Sequence, residues 1–397
     1  MTPSNQIDGG GLTAVVRRLL GPLLALCCLG PSVAVAGCVP AHPGAPASGP
    51  RPMLSYLGQA QVPFDASVAG AAIGGLSGIS YDAGRQIYYV LSDDRSKTGP
   101  ARFFTVRLSL SDKGIDDIAI TGMHPLLDRS GQSFRPLKLD GTTPFVEPVV
   151  PPDPEGIAFD AARQRLYWSS EGERLTDREP VLADPWVRIA GTDGGYLGEF
   201  ALPPNLAMSA QSTGPRRNQA LEGLALTPDG RSLFAAMEAP GYNDGPVAAG
   251  DRGALTRITK FDVATAAPSA QYAYPTEPAA GSAERNGVSD LVALSDTTFL
   301  VVERSKAVPP VVRVFRAEVG AATDVLAMPS MQGAALTPMS KTLAADLSAT
   351  SGSSPAPNIE GITLGPTLPD GRQSVVLVAD NDFAPGRASQ FLLYAMS

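Results

Sequence analysis

Acidic side chains recur along this chain in pairs, at a spacing that suggests oxygen-ligand metal chemistry or general acid–base chemistry. Each pair frames a short apolar phrase centred on a glycine or its equivalent: Gly78, Gly156, Gly223, Asp290 and Gly361. Glu155, Glu222, Asp290 and Glu360 open four of these phrases. A second apolar run follows each phrase and ends in Asp93 and Asp94, Glu171, Glu238, Glu303 or Asp380. Glu173 and Asp382 add to the set. All of them stand beside Gly, Pro or a turn residue, so they read as edge loops and not as strand faces. Ca²⁺ takes six to eight oxygens from carboxylates, carbonyls and amides. The candidate ligands are Glu155, Glu171, Glu222, Glu238, Asp290, Glu303, Glu360 and Asp380, with Asn218, Asn286 and Asn358 as neutral oxygen donors. Glu155, Glu222 and Glu360 are the candidate catalytic carboxylates. The simpler alternative is that each acid caps a turn through backbone N–H groups, but capping needs one acid per turn, not two.

So many carboxylates around one opening repel one another and raise each other's pKa unless positive charge lies between them. Calcium is one such counter-charge. The cations of the same loops are the other: Arg95, Arg174 and Arg304, with Lys97 and Lys306. The three arginines are the candidate contacts for an anionic small-molecule substrate, because a guanidinium can brace a phosphate with paired hydrogen bonds.

Other chemistries are excluded by composition. The chain has two histidines, His42 and His124. His42 falls in the N-terminal tether, so a Ser–His–Asp triad has only His124, in a Pro-flanked loop, to serve as its base. Of the three cysteines, Cys27 and Cys28 lie in an apolar leader, which leaves Cys38 and no thiolate zinc site. A formal net charge of −8 argues against nucleic acid, which calls for a basic stripe.

The elements that must position these acids are strands. The chain holds 41 Gly and 37 Pro in 397 residues, which suits many short strands joined by turns. The phrases return about every 70 residues, and self-similarity at a fixed period dictates a repeat architecture. Four strand-like runs fill the interval in the second copy (156–159, 165–169, 186–190, 198–202), with Asp193-Gly194-Gly195 as a turn. The third copy has 223–226, 232–237, 255–261 and 270–274; the fourth has 291–294, 298–302, 311–315 and 324–327. Four strands per repeat make a propeller blade. The last copy offers three runs, 361–364, 374–378 and 390–394, while an orphan run at 53–62 precedes the first. That N-terminal run is the natural fourth strand of the last blade, and closing the ring with it removes an open edge. The expectation is an all-β β-propeller of five blades over residues 53–397, with the first strand of each blade lining the channel and the acids on one rim. The long repeat leaves room for a sixth, degenerate blade at 124–152 or 328–357. A β-sandwich is the competing all-β fold, but it does not explain why the acids recur in register.

The N-terminus reads as an export signal over residues 1–37: Arg17-Arg18 precede an apolar stretch from Leu19 to Ala36. Two cleavage readings remain open. Ala34-Val35-Ala36 suits ordinary secretion; Val35-Ala36-Gly37-Cys38 suits a lipoprotein signal, with Cys38 lipidated and a membrane contact through that anchor. Residues 38–52 form a Pro/Ala/Gly-rich tether. Either way the expected location is outside the cytoplasm, periplasmic or at the cell surface.

Three stretches carry a family resemblance. Glu-Gly-Ile-Ala-Phe at 155–159, Arg-Arg-Asn-Gln-Ala-Leu-Glu-Gly-Leu-Ala-Leu-Thr-Pro-Asp-Gly at 216–230, and Asn-Ile-Glu-Gly-Ile-Thr at 358–363 followed by Val-Ala-Asp-Asn-Asp-Phe at 378–383 resemble the exported bacterial family named for "esterase-like activity of phytase". The resemblance implies a propeller related to Ca²⁺-dependent phytases and, by analogy, hydrolysis of phosphate esters. Two rival classes stay open: a Ca²⁺-dependent lactone or sugar-acid hydrolase, and a non-catalytic surface binding propeller whose cation is structural.

Overall fold

Period-two runs of Val, Ile, Leu, Tyr and Phe bounded by Gly- and Asp-bearing turns form antiparallel strands here, as pattern and turn chemistry require. The structure, a computed structural model, describes residues 53–137, 149–177, 179–280, 285–306, 310–350 and 357–397. The export signal, Cys38 and the tether lie outside the described residues. Among the described residues there are five four-stranded antiparallel sheets and two short two-stranded ribbons. Blade 1 runs Leu76–Asp82, Ile87–Ser92, Arg102–Ser111 and Gly114–Pro125; blade 2 runs Pro154–Asp160, Arg165–Ser170, Trp186–Gly191 and Tyr196–Glu199. Blade 3 runs Leu221–Leu226, Ser232–Met237, Ala254–Asp262 and Ala267–Thr276; blade 4 runs Asn286–Ala293, Thr298–Ser305, Val311–Glu318 and Ser340–Asp346. Blade 5 takes Asn358–Thr367, Gln373–Asp380 and Ser389–Met396, and completes itself with the N-terminal strand Leu54–Val62. That strand pairs antiparallel with the last, from Leu54 opposite Met396 to Val62 opposite Ser389. The ring is thus closed by joining the two ends of the domain, as the orphan run implied.

The first strands of the five blades contact one another in sequence around the ring, and the fifth returns to the first. Between neighbouring blades lie five separate apolar clusters, one at each interface. Each fully buried Leu, Val or Phe in them contributes about 1.5–3 kcal/mol relative to exposure. The blades are therefore held mainly by their shared faces.

Glycine at the repeat centre has a steric cause. A Cβ on Gly156 would lie 2.5 Å from the Glu222 carbonyl oxygen of blade 3, and one on Gly223 would lie 2.6 Å from the Asp290 Cα of blade 4. The inner strands approach too closely there for any side chain. At the same place the ladder between first and second strands slips in every blade: Leu76/Gly78, Pro154/Ile157, Leu221/Leu224, Val288/Asp290 and Ile359/Gly361. A bulge re-aims a side chain out of the alternating pattern. The residue that it re-aims is Ser77, Glu155, Glu222, Ser289 or Glu360.

Three expectations are corrected. The fourth strand of blade 4 is Ser340–Asp346 and not 324–327. Asp324 instead bridges to Tyr272 and accepts the Gln271 and Leu326 N–H groups, so its segment lies against the outer strand of blade 3. No sixth blade occurs among the described residues; the 328–357 stretch supplies that outer strand. His124 lies within a strand, stacked on Phe103, and not in a loop.

Candidate active site at the channel mouth

One end of the channel is lined by apolar residues of the inner strands, among them Ile79, Ile157, Leu224, Leu291 and Ile362. The other end is a cavity of ≈ 480 Å³ lined by charge. Blade 1 gives it Asp93 and Arg95; blade 2 gives Asp153 and Glu155; blade 3 gives Asn218 and Glu222; blade 4 gives Arg304 and Lys306; blade 5 gives Asn358, Glu360, Asp380 and Asp382. Bulged first strands deliver Glu155, Glu222 and Glu360; Asp153, Asn218 and Asn358 stand just before or at the start of first strands, and the ends of second strands with the residues after them deliver the rest.

Two groups of carboxylates converge closely enough to share a cation. Oxygens of Asp153, Glu155 and Glu171 lie within 4.8 Å of one another, and so do oxygens of Glu171, Glu222 and Glu238. Glu171 belongs to both. Its Oε1 accepts the Ala220 N–H of blade 3 at 2.6 Å, which fixes the shared carboxylate between the two groups. Glu238 is 3 % exposed, yet its Oε2 has no hydrogen-bond partner among the described residues. Asp380 Oδ1, in a residue 7 % exposed, likewise has none among them. Buried polar atoms without partners are rare and call for an explanation. An all-oxygen donor set with unsatisfied carboxylates fits a hard divalent cation such as Ca²⁺ or Mg²⁺.

The electrostatics agree. Burial, then the neighbouring acids, push Glu155, Glu171, Glu222 and Asp93 well above the usual carboxylate range. Burial also raises Asp153 to about 6, although Arg95 opposes it. Asp380 is pushed up to about 7 by burial and by Glu360 and Asp382. An acid with a raised folded-state pKa stabilises the fold below its unfolded value, near 4, and loses that contribution as pH rises through the folded value. Without a divalent cation, the melting temperature is therefore expected to fall between about pH 5 and about pH 8. Calcium should flatten that fall. Melting curves with chelator and with calcium across this range check both; a profile in chelator that rises with pH would contradict the account.

The backbone at the mouth is tightly held. Asp382 and Phe383 are consecutive non-glycine residues in the left-handed region, with φ of 51° and 48°. Strained backbone of this kind collects at functional sites. Asn381 fastens the turn: its Oδ1 accepts the Gly75 and Phe383 N–H groups.

Asp290, Glu303 and Arg174, expected at the mouth, stand elsewhere, and Asn286 donates to Glu303 and the Glu277 carbonyl and does not line the cavity. Asp290 occupies the glycine position, one residue after the re-aimed one. In blade 4 the re-aimed residue is Ser289, and Asp290 is buried and accepts backbone N–H groups from Leu291, Ile362 and Leu224, tying inner strands of blades 3, 4 and 5. Glu303 is one residue out of register. In the other blades the residue facing the cavity follows the one paired with Leu76, Pro154, Leu221 or Ile359; in blade 4 the partner of Val288 is Glu303 itself, so the next residue, Arg304, faces the cavity. A one-residue slip turns a side chain to the other face of the sheet. Glu303 accordingly accepts from Tyr274 Oη, Glu277 N, Asn286 Nδ2 and the Lys341 ammonium. Arg174 follows Glu173 on a short strand and so points away from it. Its guanidinium donates to the Ser209, Ala210 and Gln211 carbonyls and lies 4.8 Å from the Tyr242 ring centroid.

Arg304 is buried with its guanidinium 2.7 Å from Glu360 Oε1. Arg95 donates to Glu173 at 2.8 Å and lies 3.5 Å from Asp153. Glu173 also accepts from Arg217 at 2.8 Å. Asp94, grouped with the rim acids, is a local cap: it accepts the Lys97 and Thr98 N–H groups and pairs with buried Arg102. Asp153, Arg217 and Arg285 were not among the candidate site residues. Asp153 precedes Pro154 and Glu155, and that paired-acid spacing was the available signal. Arg217 lies in the 216–230 stretch that carries the family resemblance, and nothing in the local pattern marked Arg285.

Comparison with known proteins places these features in context. The profile of a family described as "Phytase-like: Esterase-like activity of phytase" matches residues 71–383. No curated protein matches the chain. Among solved structures, a thermostable family-43 glycoside hydrolase is 11% identical, with 82% of this chain and 91% of that chain covered and a TM-score of 0.45. A gluconolactonase from Xanthomonas campestris is 12% identical, with 88% and 98% covered and a TM-score of 0.33. An exo-1,5-alpha-L-arabinanase from a bovine ruminal metagenomic library is 11% identical, with 81% and 93% covered and a TM-score of 0.36.

Proposed function

The chain belongs to the phytase-like family described as esterase-like activity of phytase, and from that premise we propose that it is an exported, calcium-dependent hydrolase of phosphate esters acting at the carboxylate mouth. One observation carries the reading. The cavity joins two carboxylate triads that share Glu171, one of them holding an unpartnered buried oxygen, to cations on its walls. Glu155, Glu171, Glu222, Glu238 and Asp153 are the residues that would hold the cation. When bound there, a divalent cation supplies Lewis acidity toward a phosphoryl oxygen.

The chain's own residues do the remainder. Glu155 and Glu222 stand on the inner lip of the cavity, and whichever of them the cation left free would be placed to exchange a proton with a substrate or a water. Glu360 and Asn358 hold the Arg304 guanidinium at the wall. Glu173 holds Arg95 on the opposite side. Asn218 and Asn358 add neutral oxygens to the lining, and these also suit a lactone substrate. The two chemistries separate on turnover in calcium: an aryl phosphate should be hydrolysed and a neutral δ-lactone should not. The reverse preference would favour the lactonase reading, and turnover of neither would favour a binding module.

Export is part of the same proposal. Lipidation of Cys38 would tether the propeller to a membrane through residues 38–52. Replacing Cys38 with alanine is expected to move the protein from the membrane fraction to the soluble fraction with an unchanged melting temperature. Equal membrane retention of the variant would sink the lipoprotein reading in favour of ordinary secretion.

A further inference from the structure

The cations at the carboxylate mouth are not equivalent. Arg95 and Arg304 are engaged by Glu173 and Glu360 at 2.8 and 2.7 Å. Arg285 Nε is 4.0 Å from Glu238 Oε1. Lys306 lines the cavity, and its Nζ lies 3.9 Å from the same oxygen, beyond hydrogen-bond reach. Among the described residues the Lys306 ammonium has no acceptor within hydrogen-bond distance. Its side chain keeps 36% of its exposure.

Its position is nonetheless fixed. Lys306 directly follows the strand Thr298–Ser305, and its backbone N–H donates to the Arg285 carbonyl at 3.3 Å. It stands two residues after Arg304, and alternate residues of an extended strand share a face. The Lys306 charge acts on Asp153 and Glu171 of blade 2, Glu222 of blade 3 and Glu360 of blade 5. The ammonium head therefore lies in the mouth, 3.9 Å from Glu238 Oε1, with no acceptor in hydrogen-bond reach among the described residues. A flexible four-carbon stem carrying a compact charge suits a group that must follow a substrate.

We propose that Lys306 is the specificity-determining residue of the site: its ammonium binds the phosphoryl group of the substrate, with the Arg285 guanidinium flanking it. This rests on the phosphate-ester reading above. Arg95 and Arg304, which the sequence nominates for that role, instead shape the walls through their carboxylate partners.

The test compares wild type, Lys306→Met, Lys306→Arg and Lys113→Met, the last being an exposed hairpin lysine away from the mouth. All are saturated with calcium, with loading verified by metal analysis. Phenylphosphonate binding is measured by calorimetry, and 4-nitrophenyl phosphate turnover is measured in parallel. Lys306→Met should weaken phenylphosphonate about tenfold, the loss of one charge-assisted contact. It should raise KM by a similar factor with kcat within about threefold of wild type. Lys306→Arg should recover most of the affinity, and Lys113→Met should match wild type. Phenylphosphonate affinity of Lys306→Met within about twofold of wild type, or no binding by wild type, would overturn the proposal. If wild type binds phenylphosphonate through Lys306 but does not turn over the aryl phosphate, the hydrolase reading fails while this assignment stands.

Discussion

Glu171→Gln is expected to abolish most of the calcium response and at least about 10²-fold of turnover, since changes one shell further out already cost about 10–100-fold at metal sites. Glu171 is the carboxylate common to both triads, so its loss weakens both. Calcium at a hundred times its dissociation constant stabilises a native-only binder by about 2.7 kcal/mol. A hundredfold loss of affinity at the same calcium concentration leaves about 0.4 kcal/mol. Glutamine keeps an oxygen that can accept the Ala220 N–H, and it removes one charge from a crowded group. The calcium-free variant should therefore melt at or slightly above the wild-type temperature. Thermal melts with calcium and with chelator read both effects. The same exchange at the exposed hairpin acid Asp112 should change neither. A Glu171→Gln protein with full calcium stabilisation would show that the triads do not bind the ion.

Asp290→Ala is expected to damage the fold itself. Three backbone N–H groups, on Leu291, Ile362 and Leu224, lose their acceptor inside a region closed to water. Each buried unsatisfied donor costs about 1–3 kcal/mol, so the total should be about 3 kcal/mol or more. Burial pushes the Asp290 pKa well up, while its three N–H donors favour the ionised form. Asp290→Asn keeps one acceptor oxygen and should lose less. Urea unfolding measures the difference, provided the slope is unchanged. The decisive feature is its indifference to the ion: the loss should be equal in calcium and in chelator. A loss seen only in calcium would return Asp290 to the ligand set.

These two acids also mark where the sequence was legible and where it was not. The repeated phrase, its glycine and the unpaired end strands were enough for a five-bladed ring, because those features follow from close approach at the axis and from the need to remove an edge. The Glu155, Glu222 and Glu360 positions were legible for the same reason: each precedes the glycine at the centre of its phrase. Asp290 was misplaced because it stands in the glycine's position, not in the acid's. Glu303 was misplaced because Leu-Val-Val-Glu reads like Ala-Ala-Met-Glu, and a run of letters does not display which face its last residue takes. The spacing held a clue. Asp93, Glu171 and Glu238 follow Gly78, Gly156 and Gly223 at one common interval, whereas Glu303 follows Asp290 at a shorter one. The outer strand Ser340–Asp346 was missed since half-exposed edge strands carry a weak apolar pattern. Arg217 and Arg285 come from loops whose paths only the closed ring defines.

The central claim is that the channel mouth holds a divalent cation through carboxylates of blades 2 and 3. Calorimetric titration of chelator-stripped protein with calcium tests it most directly. The account predicts saturable heat for wild type, greatly weakened in Glu171→Gln and preserved in Asp112→Asn. A wild-type titration without binding heat, together with melting and turnover that chelator leaves unchanged, would contradict it and leave the rim acids as caps for the turns of the ring.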